Sequence, residues 1–70
     1  MDNVMYCYEV VHKGRYDKTL SREVYKTLYE CIKVIENRSD KPQRVDSRMS
    51  GLRYESDLYI YIVYEMNVKG

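Results

Sequence analysis

From Asp57 to Val68 the chain reads DLYIYIVYEMNV, and this stretch limits the fold more than any other. β-Branched and aromatic residues dominate it, which predicts a strand. Taking every second residue, one face carries Leu58, Ile60, Ile62, Tyr64 and Met66. The other carries Tyr59, Tyr61, Val63 and Glu65. A half-solvated strand alternates apolar with polar residues. Here both faces are largely apolar, so each asks for a cover that a chain of 70 residues can hardly supply twice.

That length makes one domain, 1–70, near the lower end of what folds without staples. With 44% hydrophobic and 33% charged residues the composition is globular rather than disordered. Two cysteines, Cys7 and Cys31, are too few for a disulfide framework and read as small buried hydrophobes. The opening MDNVMYCYEV lacks a basic segment followed by an apolar run, so no secretory leader is expected. The longest apolar run is too short to cross a bilayer. A cytoplasmic, reducing location with no membrane partner is the expectation.

A second strand is predicted at NVMYCYEVV, Asn3 to Val11, with faces Met5, Cys7, Glu9, Val11 and Val4, Tyr6, Tyr8, Val10. Gly14 in the following HKGR is free to adopt positive φ and close a hairpin. Arg15 to Leu20, short and polar, would return as an edge strand. Ser21 has the chemistry of a helix N-cap, with Leu20 before it able to staple onto Tyr25. From Arg22 to about Glu36, Val24, Leu28, Cys31, Ile32 and Ile35 recur at helical spacing. Asn37 can end that helix, and Pro42 prevents its resumption. Arg44 to Tyr54 reads as a poor strand with an irregularity near Gly51, and Glu55-Ser56-Asp57 turns the chain into the final strand.

The fold class is therefore α+β: a small antiparallel or mixed sheet in β-β-α-β-β order, with one amphipathic helix on one face. The two most apolar strands, first and last, belong at the centre. The more aliphatic set, Leu58, Ile60, Ile62, Tyr64 and Met66 with Met5, Cys7 and Val11, is expected to face the helix. The opposite registration would put Tyr6 and Tyr8 inside.

In the favoured registration Tyr6, Tyr8, Tyr59 and Tyr61, with Val4, Val10 and Val63 around them, share the face without a helix. An apolar patch of that kind usually marks an interaction site, and tyrosine is a favoured interface anchor. The function expected is a non-enzymatic protein-binding module. Tyr6, Tyr8, Tyr59, Tyr61 and Val63 would be the partner-binding residues, and the partner another protein or a second copy of the chain. Small domains with one binding face are typical of modulators and inhibitors of larger proteins, an analogy of type. The alternative is a stacking platform for single-stranded nucleic acid, with Arg44, Arg48 and Arg53 as anion contacts. Against it, the net charge is only +1, and Glu9 and Glu65 lie among the tyrosines. The basic excess gathers between Val11 and Arg44, nine Lys/Arg against five Asp/Glu. The three arginines equally suit an edge strand guarded by charge.

Little in the chain points to catalysis. His12, the one histidine, falls in a predicted turn. Cys7 and His12 are five apart on a strand, so they face opposite ways and cannot form a nucleophile–base pair. Cys7 and Cys31 are expected to approach across the core as inert thiols. Two cysteines and one histidine match no common zinc spacing, and the three glycines form no phosphate loop, so neither metal nor cofactor is expected. A chain this small also struggles to enclose a ligand pocket.

Overall fold

The computed structural model describes residues 2–15, 17–21, 23–45 and 52–69. Two eleven-residue strands form its spine: β1 (Asp2–His12) and β5 (Tyr59–Lys69). They pair antiparallel over their whole length, from Asp2 opposite Lys69 to His12 opposite Tyr59. Three short strands complete the sheet: β2 (Lys18–Leu20), β3 (Gln43–Val45) and β4 (Arg53–Glu55). The sheet order is β2-β1-β5-β4-β3, all antiparallel. The apolar first and last strands thus lie inside it and the polar β2 and β3 form its edges, as their composition requires.

One helix, α1 (Leu28–Glu36), joins β2 to β3. The α+β class holds, but the simple β-β-α-β-β order does not. The strand expected from Arg44 to Tyr54 is two strands, β3 and β4, and the expected irregularity near Ser50 and Gly51 lies outside the described residues.

The helix starts later than its apolar spacing predicts. Ser21 is not the N-cap. Its hydroxyl accepts from the Tyr8 N–H at 3.2 Å and donates to the Glu23 carbonyl at 2.9 Å. Tyr25 then forms a bridge with Tyr6, exchanging backbone hydrogen bonds of 2.7 and 2.8 Å. The sheet ladder therefore claims the N–H groups that a first helical turn would need, and Val24 and Tyr25 are residue types that suit a ladder. The cap is Thr27, in extended conformation, whose Oγ1 accepts from the Glu30 N–H at 3.1 Å. Asn37 closes the helix as expected, its N–H donating to the Lys33 carbonyl at 3.0 Å.

The β1–β2 hairpin closes without a left-handed glycine. Gly14 lies outside that region, its N–H donates to His12 Nδ1 at 3.2 Å, and a Cβ there would meet the His12 ring at 3.4 Å. The left-handed non-glycine residue among those described is Lys41, φ 49°, after the helix. At the other end Ser56 shapes the β4–β5 turn, its hydroxyl accepting from the Tyr59 N–H at 3.3 Å.

The helix packs on the tyrosine face, the reverse of the favoured registration. Tyr8, Cys31, Ile35, Tyr54 and Tyr61 form the core, with Tyr6, Val10, Tyr25, Ile32, Val34, Leu52, Tyr59 and Val63 packed against it. The residues expected beneath the helix, Met5, Cys7, Val11, Ile60, Ile62, Tyr64 and Met66, lie on the other face. Two physical reasons favour this choice. Tyrosine rings fill the wide gap between one helix and a sheet. The hydroxyls of Tyr8 and Tyr61 also find polar partners in the chain that follows the helix, Arg38 and Asp40.

Candidate functional site

The tyrosines singled out from the sequence are brought together, but under cover. Tyr61 is 0% exposed and Tyr8 6%, and their rings meet edge-on at 6.1 Å. Tyr59 lies tilted against Tyr61 at 6.3 Å and receives the His12 ring edge at 5.2 Å. Tyr6 and Val63 line a small apolar hollow of about 190 Å³ with Leu28, Leu52 and Glu65 beside the helix start. These rings do not form the open patch that the sequence suggests, because α1 occupies it.

The arginines are not brought together. Arg44 stands opposite Tyr54 on the helix face, whereas Arg53 stands opposite Val45 and Ile62 on the other face. Neighbouring positions in a ladder alternate sides, so these two cannot clamp one anion. Arg48 lies outside the described residues.

The residues that sequence reasoning passed over are those just after the helix. Arg38 donates from Nε to the Tyr61 hydroxyl at 2.9 Å and from Nη1 to the Tyr8 hydroxyl at 3.2 Å. Its guanidinium carbon lies 5.0 Å from the Tyr61 ring centre. The Tyr61 hydroxyl in turn donates to Asp40 Oδ2 at 2.5 Å, and Asp40 lies 3.7 Å from Arg38 Nε. Burial raises the Tyr61 phenol, and its bond to Asp40 raises it further, to about 12 against the opposing pull of Arg38. For Asp40, burial pushes the pKa up, but hydrogen bonds from Ser56 and Tyr61 and the field of Arg38 outweigh it and hold the carboxyl below its ordinary range. A fixed guanidinium, two phenols and a carboxylate thus sit where the C-terminal end of the helix meets the sheet. Only the pairing of a basic with an acidic residue in NRSD, Asn37 to Asp40, hinted at it in the sequence.

Beside Arg38 runs an open groove of about 400 Å³, lined by Tyr8, Val10, Thr19, Leu20, Ser21, Glu23, Tyr25 and Arg38. The Tyr8 and Tyr25 rings lie nearly parallel along it, 11° apart with centres 6.4 Å from each other. A chain this short was expected to struggle to enclose a pocket, and the space it offers is a groove open to solvent. The chain after β2 crosses back along β1 instead of entering the helix, and the detour leaves room between them.

The comparisons with known proteins identify no relative. No protein-family model, no curated protein and no solved structure matches this chain.

The face without a helix holds a different surface. Met5 stands opposite Met66, Cys7 opposite Tyr64, and Val11 opposite Ile60, with Ile62 between the last two pairs and opposite Glu9. Tyr64 is 40% exposed and Met66 41%, whereas Cys7 and Val11 are short enough to sit below their longer neighbours and are buried. Its charged residues nearly balance: Glu9 and Glu55 against Lys18 and Arg53 on ladder positions of this face, with Lys13 added beside Glu55. Glu9 accepts from the Tyr64 hydroxyl at 3.3 Å, and Glu55 pairs with Lys13 at 3.4 Å.

Cys7 and Cys31 are both free, but they do not meet across the core as expected. Cys31 belongs to the core and Cys7 to the opposite face, with the sheet between them. Burial raises both thiols, that of Cys31 to about 11. His12 lies on the helix side of β1, its Nδ1 occupied by the Gly14 N–H. Among the described residues no group of three or more His, Cys, Asp or Glu side chains could hold a metal ion, and no helix is long and apolar enough to cross a membrane.

Proposed function

We propose that this protein is a non-enzymatic binding module that works through the uncovered face of its sheet, and that the first occupant of that face is a second copy of the chain. The observation that carries the reading is one helix against two apolar faces. A row of Met5, Cys7, Val11, Ile60, Ile62, Tyr64 and Met66 runs along β1 and β5, and among the described residues no helix packs on it. Contiguous apolar surface of this sort is what protein interfaces are made of.

Charge supports self-association over nucleic acid. Two acids against three bases, Lys13, Lys18 and Arg53, leave the face within one charge of neutral, so two copies repel little and a polyanion gains little. The stacking rings that the nucleic-acid alternative needs lie beneath α1. Such a dimer, or the same face offered to a larger protein, would serve a small modulator or inhibitor, which is the role we infer.

Sedimentation equilibrium tests this. The native chain should sediment as a dimer at high concentration. A Tyr64→Glu/Met66→Glu variant, altered only at exposed positions, should be monomeric with an unchanged circular dichroism spectrum. A native chain that stays monomeric throughout the concentration range would refute self-association, and a variant that still dimerises would refute this face.

A further inference from the structure

We infer that the groove between β2 and Arg38 is a binding site for an aromatic ring that carries a carboxylate. The site is separate from the uncovered sheet face and does not depend on it.

Its volume, about 400 Å³, falls within the range of small-ligand sites. Its walls divide by chemistry. Val10 and Tyr25 give it apolar and aromatic surface, and Tyr8 lies nearly parallel behind Tyr25. Leu20 bounds the groove only at its margin, because its ladder position opposite Glu9 places it on the other face of the sheet. Thr19 supplies a hydroxyl along the β2 side, whereas that of Ser21 is engaged with Tyr8 and Glu23.

Arg38 supplies the anion contact, and it is held ready for one. A guanidinium has five N–H donors. The Nε–H is taken by Tyr61 and one Nη1–H by Tyr8. Among the described residues nothing bonds to Nη2, which leaves donors of the fork for a carboxylate. Asp40 lies 3.7 Å from Arg38 Nε, beyond hydrogen-bond distance. Because two tyrosine hydroxyls already fix the guanidinium plane, little further side-chain freedom is lost on binding. Glu23, the other charge on the groove wall, repels an anion placed near it. The carboxylate must therefore lie at the Arg38 end and the ring against Tyr25 and Val10. Either a free aromatic acid or the last residue of a peptide offers this chemistry.

The test is a titration of ¹⁵N-labelled protein followed by two-dimensional NMR. The probes are indole-3-acetate, an N-acetylated tripeptide ending in phenylalanine, the same tripeptide as its C-terminal amide, and indole. Saturable shifts are expected at the amides of Thr19, Ser21 and Tyr25 with at least one of the two acids. Which acid binds assigns the source of the carboxylate. The amide and indole should bind at least about tenfold more weakly, the loss expected when a charge-assisted hydrogen-bond pair is removed. Arg38→Gln should do the same. Because that change also frees two core hydroxyls, a second variant, Thr19→Trp, fills the groove from an exposed edge position and should abolish the shifts while the fold stays intact. The inference is overturned if neither acid gives saturable shifts, if indole binds as well as its acid, or if Thr19→Trp leaves binding unchanged.

Discussion

Removing one oxygen atom, by Tyr61→Phe, tests which face of this sheet is the core. Tyr61 is fully buried, and its hydroxyl stands between two charged groups, accepting from Arg38 at 2.9 Å and donating to Asp40 at 2.5 Å. Hydrogen bonds to charged groups contribute about 1.5–3 kcal/mol each when buried. Arg38 and Asp40 keep 39% and 26% of their side-chain surface in water, so solvent partly replaces what they lose. They also keep each other, and Arg38 keeps Tyr8. A net loss of about 2 kcal/mol is the balance of these terms. A domain of this length is stable by roughly 4–10 kcal/mol, so the melting temperature should fall by about 8–16 °C. Thermal and urea unfolding followed by circular dichroism measure both quantities. Tyr64→Phe is the control. Its hydroxyl meets Glu9 at 3.3 Å on the exposed face, and its loss should cost no more than about 0.5 kcal/mol. If Tyr64→Phe is the costly change and Tyr61→Phe the silent one, the helix covers the other face and the reasoning is wrong.

Two further outcomes follow from the same geometry. Thr27→Ala removes the cap on the Glu30 N–H and should cost about 1 kcal/mol; a neutral result in urea unfolding would move the helix start back toward Ser21. Stability should also fall at both ends of the pH scale. Asp40 titrates lower in the fold than unfolded, so its contribution is complete above its ordinary value of 3.8 and is lost as pH drops through the depressed folded value. Tyr61 and Cys31 titrate higher in the fold, so their contributions are complete below their ordinary values of 10.0 and 9.0 and are lost as pH rises toward about 12 and about 11. Urea midpoints measured against pH should show both limbs. In Asp40→Asn the acid limb should shrink; an unchanged acid limb would remove Asp40 from the account.

Where the sequence carried one periodicity, it was enough. Met5 to Val11 and Tyr59 to Met66 could be nothing but strands, and their apolarity placed them inside the sheet, where β1 and β5 lie. Cys31, Ile32 and Ile35 marked a helix packed by one side, and the helix is there. Where two local structures competed, spacing alone misled. Val24 and Tyr25 fit both the helical stripe and an extended segment. The choice was made by Tyr6, nineteen positions earlier, which offered Tyr25 two backbone hydrogen bonds. Arg38 and Asp40 read as ordinary loop charges because their partners, Tyr8 and Tyr61, lie 30 and 21 positions or more away along the chain.

The sequence by itself determined that this is a small α+β domain with two central apolar strands, one helix and therefore one face too many. Only the tertiary structure decided which face went under the helix. A two-residue period separates two faces but does not rank them when both are apolar. The ranking came from the hydroxyls of Tyr8 and Tyr61, which can be buried only where Arg38 and Asp40 receive them. Met5, Ile60, Ile62 and Met66 ask for no such partners, and they form the face left open.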